Sequence, residues 1–522
     1  MEKGQVNYEH IDTIGVETQQ EDREVTKWEA VDNRKAIAWT AWAIFVLCLQ
    51  GFDNQAGGIV VGVREFRKDF GYEFGGDYVL PAKWQSAFSG GPNASAVFGA
   101  LFAGWLGDLI GRKWAIFLFL CNSFIGVALE YISTTNAVFF AGKMLNGLSL
   151  GAFNCLCVAY VSEIAPHVLR GTTTAMCNLS LSIGPLICVI LGDAYGDLPN
   201  RWAYVKSRDR GIFVAQWGFA AIAIIFCPFI PESPWWLIST GKIEKATKSL
   251  GRLGMNTIRA EKQVAYIQYT QMKAKEVTSG VSFLECFRGT NRRRTFLTIA
   301  PLTIQALSGV SFISFYGTYY FQLAGNSVHR SFQLSCGAQA LSISGNITSW
   351  FLIDRIGRRP LIFWGMCSLT VLLLVTGGLA TNGSPGALTG TVALILFYNF
   401  VFNLVIGAVA YTLIAEIPTT NLRGKSIAIS LTIQQTLYTV QLFVLPYIFN
   451  PDQANLGAKT SFIFGGLAVI CCAYLWFCYP ETANRSFQEI EEMFFNKVSA
   501  RKFKTYVTTS QTEQAVKGVD AI

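Results

Sequence analysis

Charge is what this sequence has least of. Only 15% of its 522 residues are charged, where an ordinary soluble chain carries about 25%, and that deficit argues against a string of water-soluble domains. Histidine is almost missing, with three in the chain. None of them joins the thirteen cysteines at metal-ligand spacing, and Cys121, Cys155, Cys188, Cys227 and Cys471 lie inside apolar runs. The cysteines therefore read as small apolar packing residues, and no metal is expected. No G-x-x-x-x-G-K-[ST] loop occurs, which argues against a nucleotide-driven pump. No nucleophile, base and orienting acid stand at a recognisable spacing, so neither an enzyme nor a cofactor is expected. The net charge of +8 comes from basic residues scattered between apolar segments rather than gathered on one face, which argues against nucleic acid as a partner. A secretory signal is missing too: residues 1–35 are polar and acid-rich, without a basic start and apolar core, and read as a disordered cytosolic tail.

What is present is apolar. Hydrophobic residues make up 51% of the chain, mean hydropathy is +0.35, and there are 48 glycines, a residue more frequent in transmembrane helices than in soluble ones. A bilayer core of roughly 30 Å needs about 20 apolar residues per helix. Runs of that length predict spans at 36–59, 86–106, 113–133, 137–161, 173–194 and 211–230, then at 295–323, 331–353, 359–379, 388–415, 425–448 and 458–479. The expected fold class is an all-α membrane protein of twelve transmembrane helices. Its domains are a tail at 1–35, a six-helix bundle at 36–230, a linker at 231–294, a second bundle at 295–479 and a tail at 480–522. The linker is rich in Lys and Arg and suggests amphipathic helices on the cytosolic face. Arg64, Arg67, Lys68, Lys83, Arg201, Lys206, Arg208 and Arg210 oppose that bias, but the stronger charge of the linker and short loops puts both termini inside. A plasma-membrane location is expected.

The chain also repeats itself. GDLIGRK at Gly107–Lys113 returns as IDRIGRR at Ile353–Arg359; SEIAPHVLRG at Ser162–Gly171 returns as AEIPTTNLRG at Ala415–Gly424; PES at Pro231–Ser233 returns as PET at Pro480–Thr482. The offsets are 246, 253 and 249 residues, in one order. Chance would not keep order and offset together, so the two bundles are copies of one another. Each repeat falls at the cytosolic end of a span. Asp108 with Arg112, Glu163 with Arg170, Asp354 with Arg358, and Glu416 with Arg423 put carboxylates and guanidiniums at adjacent helix ends. There they suit a partly desolvated ionic latch that breaks when the bundles move.

With these residues the chain resembles the sugar porter family of the major facilitator superfamily, most of all its fungal hexose and α-glucoside transporters. The resemblance rests on Gly104–Lys113, Lys143–Gly171, PESPWWL at Pro231–Leu237, Gln305–Ser311, DRIGRRP at Asp354–Pro360, Glu416 with Arg423 and Gly424, and Pro480–Thr482. The family has Arg where Trp235 stands. The fold it implies is the major facilitator fold, two pseudo-symmetric six-helix bundles joined by a cytosolic helical linker. The function it implies is secondary transport of a sugar by alternating access.

Two groups inside the first bundle bear on how such transport is driven. Asp53 lies in GFDNQAGG of the first span, where a carboxylate costs about 2.5–3.5 kcal/mol on insertion scales and needs a cavity and a partner. Lys143, in AGKMLNG of the fourth span, is the expected partner. The resemblance gives this pair a meaning: in proton-coupled sugar porters a first-span Asp pairs with a fourth-span Arg, and protonation releases it. Lys143 holds the Arg position, with a single-point charge. Proton symport is the expectation, with a plain facilitator or a structural pair as alternatives. Glu130 falls near the end of the third span and is expected to reach the outer interface.

The resemblance also implies which residues meet the solute. Gln305 keeps the first glutamine of the seventh span, while Ala306 replaces the second and Ser311 replaces an asparagine. Ser342 stands for the eighth-span asparagine, Tyr411 for the tenth-span tryptophan and Asn178 for a fifth-span glutamine; Gln434 and Gln435 remain on the eleventh. Several long amides have thus become shorter, and each lost partner costs about 1–3 kcal/mol where water does not replace it. A carbohydrate is the expected substrate, with protons and the bilayer as the other partners. A sugar-porter-like carrier of a non-sugar solute is the alternative; a non-transporting receptor is disfavoured by the short tail. Asn382-Gly-Ser, on an expected outer loop, is the one credible glycosylation acceptor.

Overall fold

The computed structural model describes residues 34–74, 77–165, 170–196, 211–278, 283–382, 384–419, 422–482, 487–503 and 505–506. The tail at 1–33, Arg201, Lys206, Arg208 and Arg210, and the stretch 507–522 lie outside these residues, as do the side chains of Arg170 and Asp354. The order begins with α1 (Arg34–Gly62), a short α2 (Arg64–Phe70) and a two-stranded hairpin, β1 (Tyr72–Phe74) and β2 (Asp77–Val79). Then come α3 (Ala82–Ile110), α4 (Arg112–Ile132), α5 (Asn136–Ile164), α6 (Arg170–Gly196) and α7 (Gly211–Phe226). The middle of the chain forms α8 (Pro234–Ser239), α9 (Ile243–Arg252) and α10 (Thr257–Thr278). Next follow α11 (Gly289–Leu307), α12 (Val310–Leu323), α13 (Val328–Ile356), α14 (Arg358–Asn382) and α15 (Pro385–Phe402). The order closes with α16 (Ala408–Glu416), α17 (Arg423–Phe449), α18 (Thr460–Cys478) and α19 (Phe487–Phe495).

Among the described residues, eleven segments are long and apolar enough to cross a membrane. The expected span at 331–353 lies within α13, which has the length at 29 residues but buries a polar stripe of Ser331, Ser335, Ser342, Asn346 and Ser349. α11 and α12 together make one span, as do α15 and α16. Large apolar side chains such as Phe98, Leu101, Trp105, Trp364, Ile470 and Phe477 are exposed. A soluble monomer rarely leaves so much apolar surface bare; hydrocarbon accepts it, because every helix satisfies its own backbone.

Helix ends follow local chemistry. Thr135 caps α5 by accepting from the Val138 N–H at 3.4 Å, and Ser384, followed by Pro385 in the first turn, caps α15, the residue types that such positions favour. The chain divides into two compact units, Met1–Tyr72 with Ala87–Ser279, and Glu73–Ser86 with Gly280–Ile522. Within the first, glycines let helix backbones touch. A Cβ on Gly151 would lie 1.8 Å from the Ala96 carbonyl oxygen, one on Gly99 2.0 Å from that of Leu148, and one on Gly184 2.2 Å from that of Cys48. Small residues serve here because lipid offers no hydrophobic drive for helices to associate, leaving close packing to do it. Its apolar core runs from Leu47 and Tyr160 in the long helices to Trp236, Leu250 and Val264 in α8–α10, so these short helices pack onto the first bundle. The second unit breaks two spans. Gly309, at φ +92°, separates α11 from α12, a backbone region that glycine enters without strain. A π-helical turn at Asn403–Gly407 separates α15 from α16.

Candidate functional site

Both units carry the repeated ionic clusters, each built from its own helices. In the first, Gly111 takes φ +101° and starts α4, leaving its first N–H groups without helical partners. Glu232 of the PES segment supplies one acceptor: its Oε1 takes the Lys113 N–H at 3.1 Å and the Ser233 N–H at 3.0 Å. Burial raises the Glu232 carboxyl above its usual range, and these backbone donors offset part of that. Arg112 then reaches Asp108 at 2.7 Å and Glu163 at 3.3 Å, while the Ser233 hydroxyl donates to Glu163.

The second unit repeats the device. Gly357, at φ +94°, starts α14, and Glu481 of the PET segment accepts the N–H groups of Arg358 and Arg359, each at 3.1 Å. Arg358 meets Glu416 at 3.2 Å, and Thr482 donates to Glu416 at 2.7 Å. The predicted gate residues Asp108, Arg112 and Glu163 thus come together, and so do Arg358 and Glu416. Arg423 sits half-buried at the start of α17. Sequence reasoning had used Glu232, Ser233, Glu481 and Thr482 only as repeat markers; their recurrence beside the arginine motifs was the signal that they cap and brace them. Arg358→Gln is expected to destabilise the protein by about 1–3 kcal/mol, since it leaves a half-buried carboxylate short of its charged partner. Thermal unfolding in detergent reads this, and an unchanged transition would show the pair to be idle.

The intramembrane charges are arranged differently from expectation. Lys143 on α5 does not bond Asp53; its ammonium lies 2.8 Å from Glu130 of α4. Nor does Glu130 reach an interface, for its side chain is 0% exposed. The reason is helix packing: Gly126 and Gly142 bring α4 and α5 so close that a Cβ on Gly142 would lie 2.9 Å from the Glu130 Cγ. Asp53 of α1 is buried at 3% exposure within electrostatic reach of both. Its carboxyl lies against the Asn146 and Gln216 side chains without a hydrogen bond of normal geometry.

The predicted substrate contacts fall on both units. Asn178 is half-buried on α6 of the first. In the second, Gln434 of α17 donates to Gln305 of α11, and Gln305 donates to the Gly407 carbonyl at 3.4 Å, where the π-helical turn frees a backbone acceptor. The hydroxyls of Tyr411 and Tyr438 meet Gln434, and Tyr411 is 45% exposed. Ser311 donates at 2.7 Å to Gln441, which donates in turn to the Ala306 carbonyl at 3.0 Å. Gln441 is a residue the sequence analysis did not single out; a third glutamine on α17, two helical turns after Gln434, was the available signal. Ser342 is turned to its own helix, donating to the Ala338 carbonyl at 3.0 Å. Asn382 is exposed at the end of α14. Among the described residues, no group of three or more His, Cys, Asp or Glu could hold a metal ion.

Comparison with known proteins places these features. The family described as "Sugar (and other) transporter" matches residues 39–494. The general α-glucoside permease of Saccharomyces cerevisiae is 29% identical over 483 residues, covering 91% of this chain and 77% of the permease. The maltose permease MAL31 of the same yeast is 30% identical over 481 residues, covering 90% and 77%. The structure of the proton:xylose symporter XylE of E. coli superposes with a TM-score of 0.67 at 19% identity, covering 88% of this chain and 99% of that one; it shows that the fold is the major facilitator fold. A chain matched over nearly its whole length, with its ionic clusters built twice, belongs to the sugar (and other) transporter family, the sugar porters of the major facilitator superfamily.

Proposed function

We propose that this protein carries a sugar, most fittingly an α-glucoside, across the plasma membrane by alternating access, in symport with protons and with both termini cytosolic. The observation that carries the reading is the family match over residues 39–494, supported by yeast relatives named for α-glucosides and maltose. Chemistry agrees with it. A sugar presents many hydroxyls, each needing a donor or acceptor once desolvated. Gln305, Gln434 and Gln441 offer both from one side chain, with Tyr411 adding an exposed ring for the sugar's C–H face. Asn178, Ser311 and Ser342 complete the proposed set of contacts, and Asp53 with Lys143 the proposed coupling groups.

The ionic clusters at Asp108, Arg112, Glu163 and Arg170, and at Asp354, Arg358, Glu416 and Arg423, are the proposed cytosolic latch. Such partly buried pairs suit an element that must both hold and release. No step needs a cofactor, and the relatives matched are transporters rather than enzymes.

Uptake of labelled hexoses, pentoses, polyols and α-glucosides by a transport-deficient yeast, with and without a protonophore, tests this directly. Saturable α-glucoside uptake that collapses with the protonophore is the expected result, and Gln434→Ala should raise its KM by about tenfold, the loss of one buried hydrogen-bond partner. Persistent uptake would replace symport by facilitated diffusion. Protein at the cell surface with no sugar uptake at all would overturn the sugar reading in favour of another organic solute.

A further inference from the structure

The latch proposed for the ionic clusters leaves one repeated feature unused, the way the last span of each bundle ends. In the first unit α7 stops at Phe226 and the chain turns through Cys227–Phe229, which leaves carbonyls without helical donors. Two cations take them: the Lys113 ammonium donates to the Pro228 carbonyl at 2.6 Å, and the Arg252 guanidinium to that of Phe229 at 2.7 Å. In the second unit α18 stops at Cys478. There Arg359 donates to the Trp476 carbonyl at 2.9 Å, and Arg501 lies over the Trp476 and Phe477 rings at 5.6 and 5.5 Å. Lys113 and Arg359 belong to a repeat already described. Arg252 and Arg501 come from stretches with little mutual likeness, yet they stand 249 residues apart, the offset of PET from PES.

Capping by a basic side chain accounts for one cation at a helix end. It does not account for two, because Lys113 and Arg252 lie within electrostatic reach of each other and like charges repel. Glu232 also reaches Lys113, but its Oε1 takes two backbone N–H groups, as the Glu481 oxygens do in the second unit. Among the described residues no salt bridge joins an acid to Lys113, Arg252, Arg359 or Arg501. Arg252 and Arg501 are exposed, and so are Lys248, one turn before Arg252, and Lys502, next to Arg501. The surface beside these cations is aromatic and bare. The Lys113 nitrogen lies 5.4 Å from the centre of the Trp114 ring; Trp114 is 50% exposed, Phe229 61%, Trp476 47% and Phe477 66%. Exposed rings of this kind mark the headgroup level of a bilayer. A soluble anion would use the cations and leave the rings in water. A phospholipid uses both, with its phosphate on the cations and its acyl chains along the rings. Paired cations favour a lipid of net negative charge, since a zwitterionic headgroup brings a cation of its own.

We propose that each unit binds an anionic phospholipid here, its phosphate held by Lys113 and Arg252 in the first and by Arg359 and Arg501 in the second. Arg252 belongs to α9 and Arg501 to the turn Ala500–Lys502, so each lipid also fastens a segment that follows the bundle to the span before it. The partner is a component of the bilayer and not the solute, so the outcome is independent of which sugar is carried and of proton coupling.

The test uses the full-length protein, purified in detergent and equilibrated with equal amounts of phosphatidylglycerol, phosphatidylethanolamine and phosphatidylcholine of the same acyl chains. Native mass spectrometry counts what is retained. The parent is expected to keep two phosphatidylglycerols per chain in preference to either zwitterionic lipid. Arg252→Gln should weaken one site about fivefold and Arg501→Gln the other, the worth of one cation near an anionic surface, and the double variant should weaken both. In about 1 M salt, where the Debye length falls to about 3 Å, the parent should lose its preference. Equal retention of the three headgroups overturns the proposal, and so does a double variant that keeps the parent's preference. Release of phosphatidylglycerol by millimolar inorganic phosphate would mark a site for a soluble anion and also overturn it. Variants that melt earlier without lipid yet retain it as the parent does would show the cations to be helix caps only. Should either variant fail to fold, the parent in high salt decides: an undiminished preference there sinks the charge-based site.

Discussion

Asp53→Asn is expected to abolish uphill accumulation of sugar while tracer exchange continues. Asparagine matches the protonated acid in size and neutrality, so it keeps the packing against Asn146 and Gln216 and adds no buried charge. It cannot, however, give up a proton to the cytosol. One charge crossing 100 mV is worth about 2.3 kcal/mol, and at about 1.4 kcal/mol per tenfold the electrical drive alone supports a gradient of about 50-fold. That whole factor should vanish. Accumulation ratios in energised cells measure it, and counterflow in de-energised cells shows whether the carrier still turns over. An unreduced ratio would remove Asp53 from coupling.

The second large effect concerns folding. Gly151→Ala should leave little mature protein in the membrane. Its new methyl would stand 1.8 Å from the Ala96 carbonyl oxygen and 2.6 Å from the carbon bearing it. Backbone cannot rotate out of the way as a side chain can, so α3 and α5 must separate along the seam where Gly99 also packs. A loss beyond about 4 kcal/mol is the scale for such overpacking against main chain. Gly104→Ala on the same α3 is the control, since nothing lies within 4 Å of its added carbon, and it should express normally. Surface abundance and thermal stability in detergent compare the two; equal behaviour would show that the helices have room to move apart.

Much of the architecture was legible because hydrophobic length and repetition are one-dimensional signals. The span expected at 331–353 is the exception: α13 has the length, but its buried serines and Asn346 leave it outside the eleven apolar segments found among the described residues. The ionic clusters could be located but not assembled: the pairing of Arg112 with Glu163 depends on how far α4 and α5 stand apart, and the bracing by Ser233 and Thr482 on how the chain leaves the bundle. The Lys143 partner was misread for a related reason. Asp53 lies in the middle of its span and drew attention, whereas Glu130 lies near the end of its own, where a long side chain usually finds water. Whether it does depends on the neighbouring helix, and the Gly126–Gly142 contact, invisible along either helix alone, closes that route. Of the polar side chains that bond one another in the second unit, family position named Gln305 and Gln434 but not Gln441, which binds the hydroxyl of Ser311 from another helix.

The break at Gly309 has a mechanical consequence. A continuous helix is a stiff rod, held by a hydrogen bond from each residue to the one four places on; at Ser308 and Gly309 that ladder is interrupted, and the Ser308 carbonyl is held instead by the Tyr398 hydroxyl at 2.7 Å. The seventh span is therefore two rods and a pinned joint, with its compliance concentrated at one residue. The second rod, Val310–Leu323, has 14 residues, so a tilt of about 10° at the joint swings its far end through about 4 Å, given the helical rise per residue. Tyr316, Tyr319 and Tyr320 ride on that lever, while Gln305, on the near side of the pin, stays where it is.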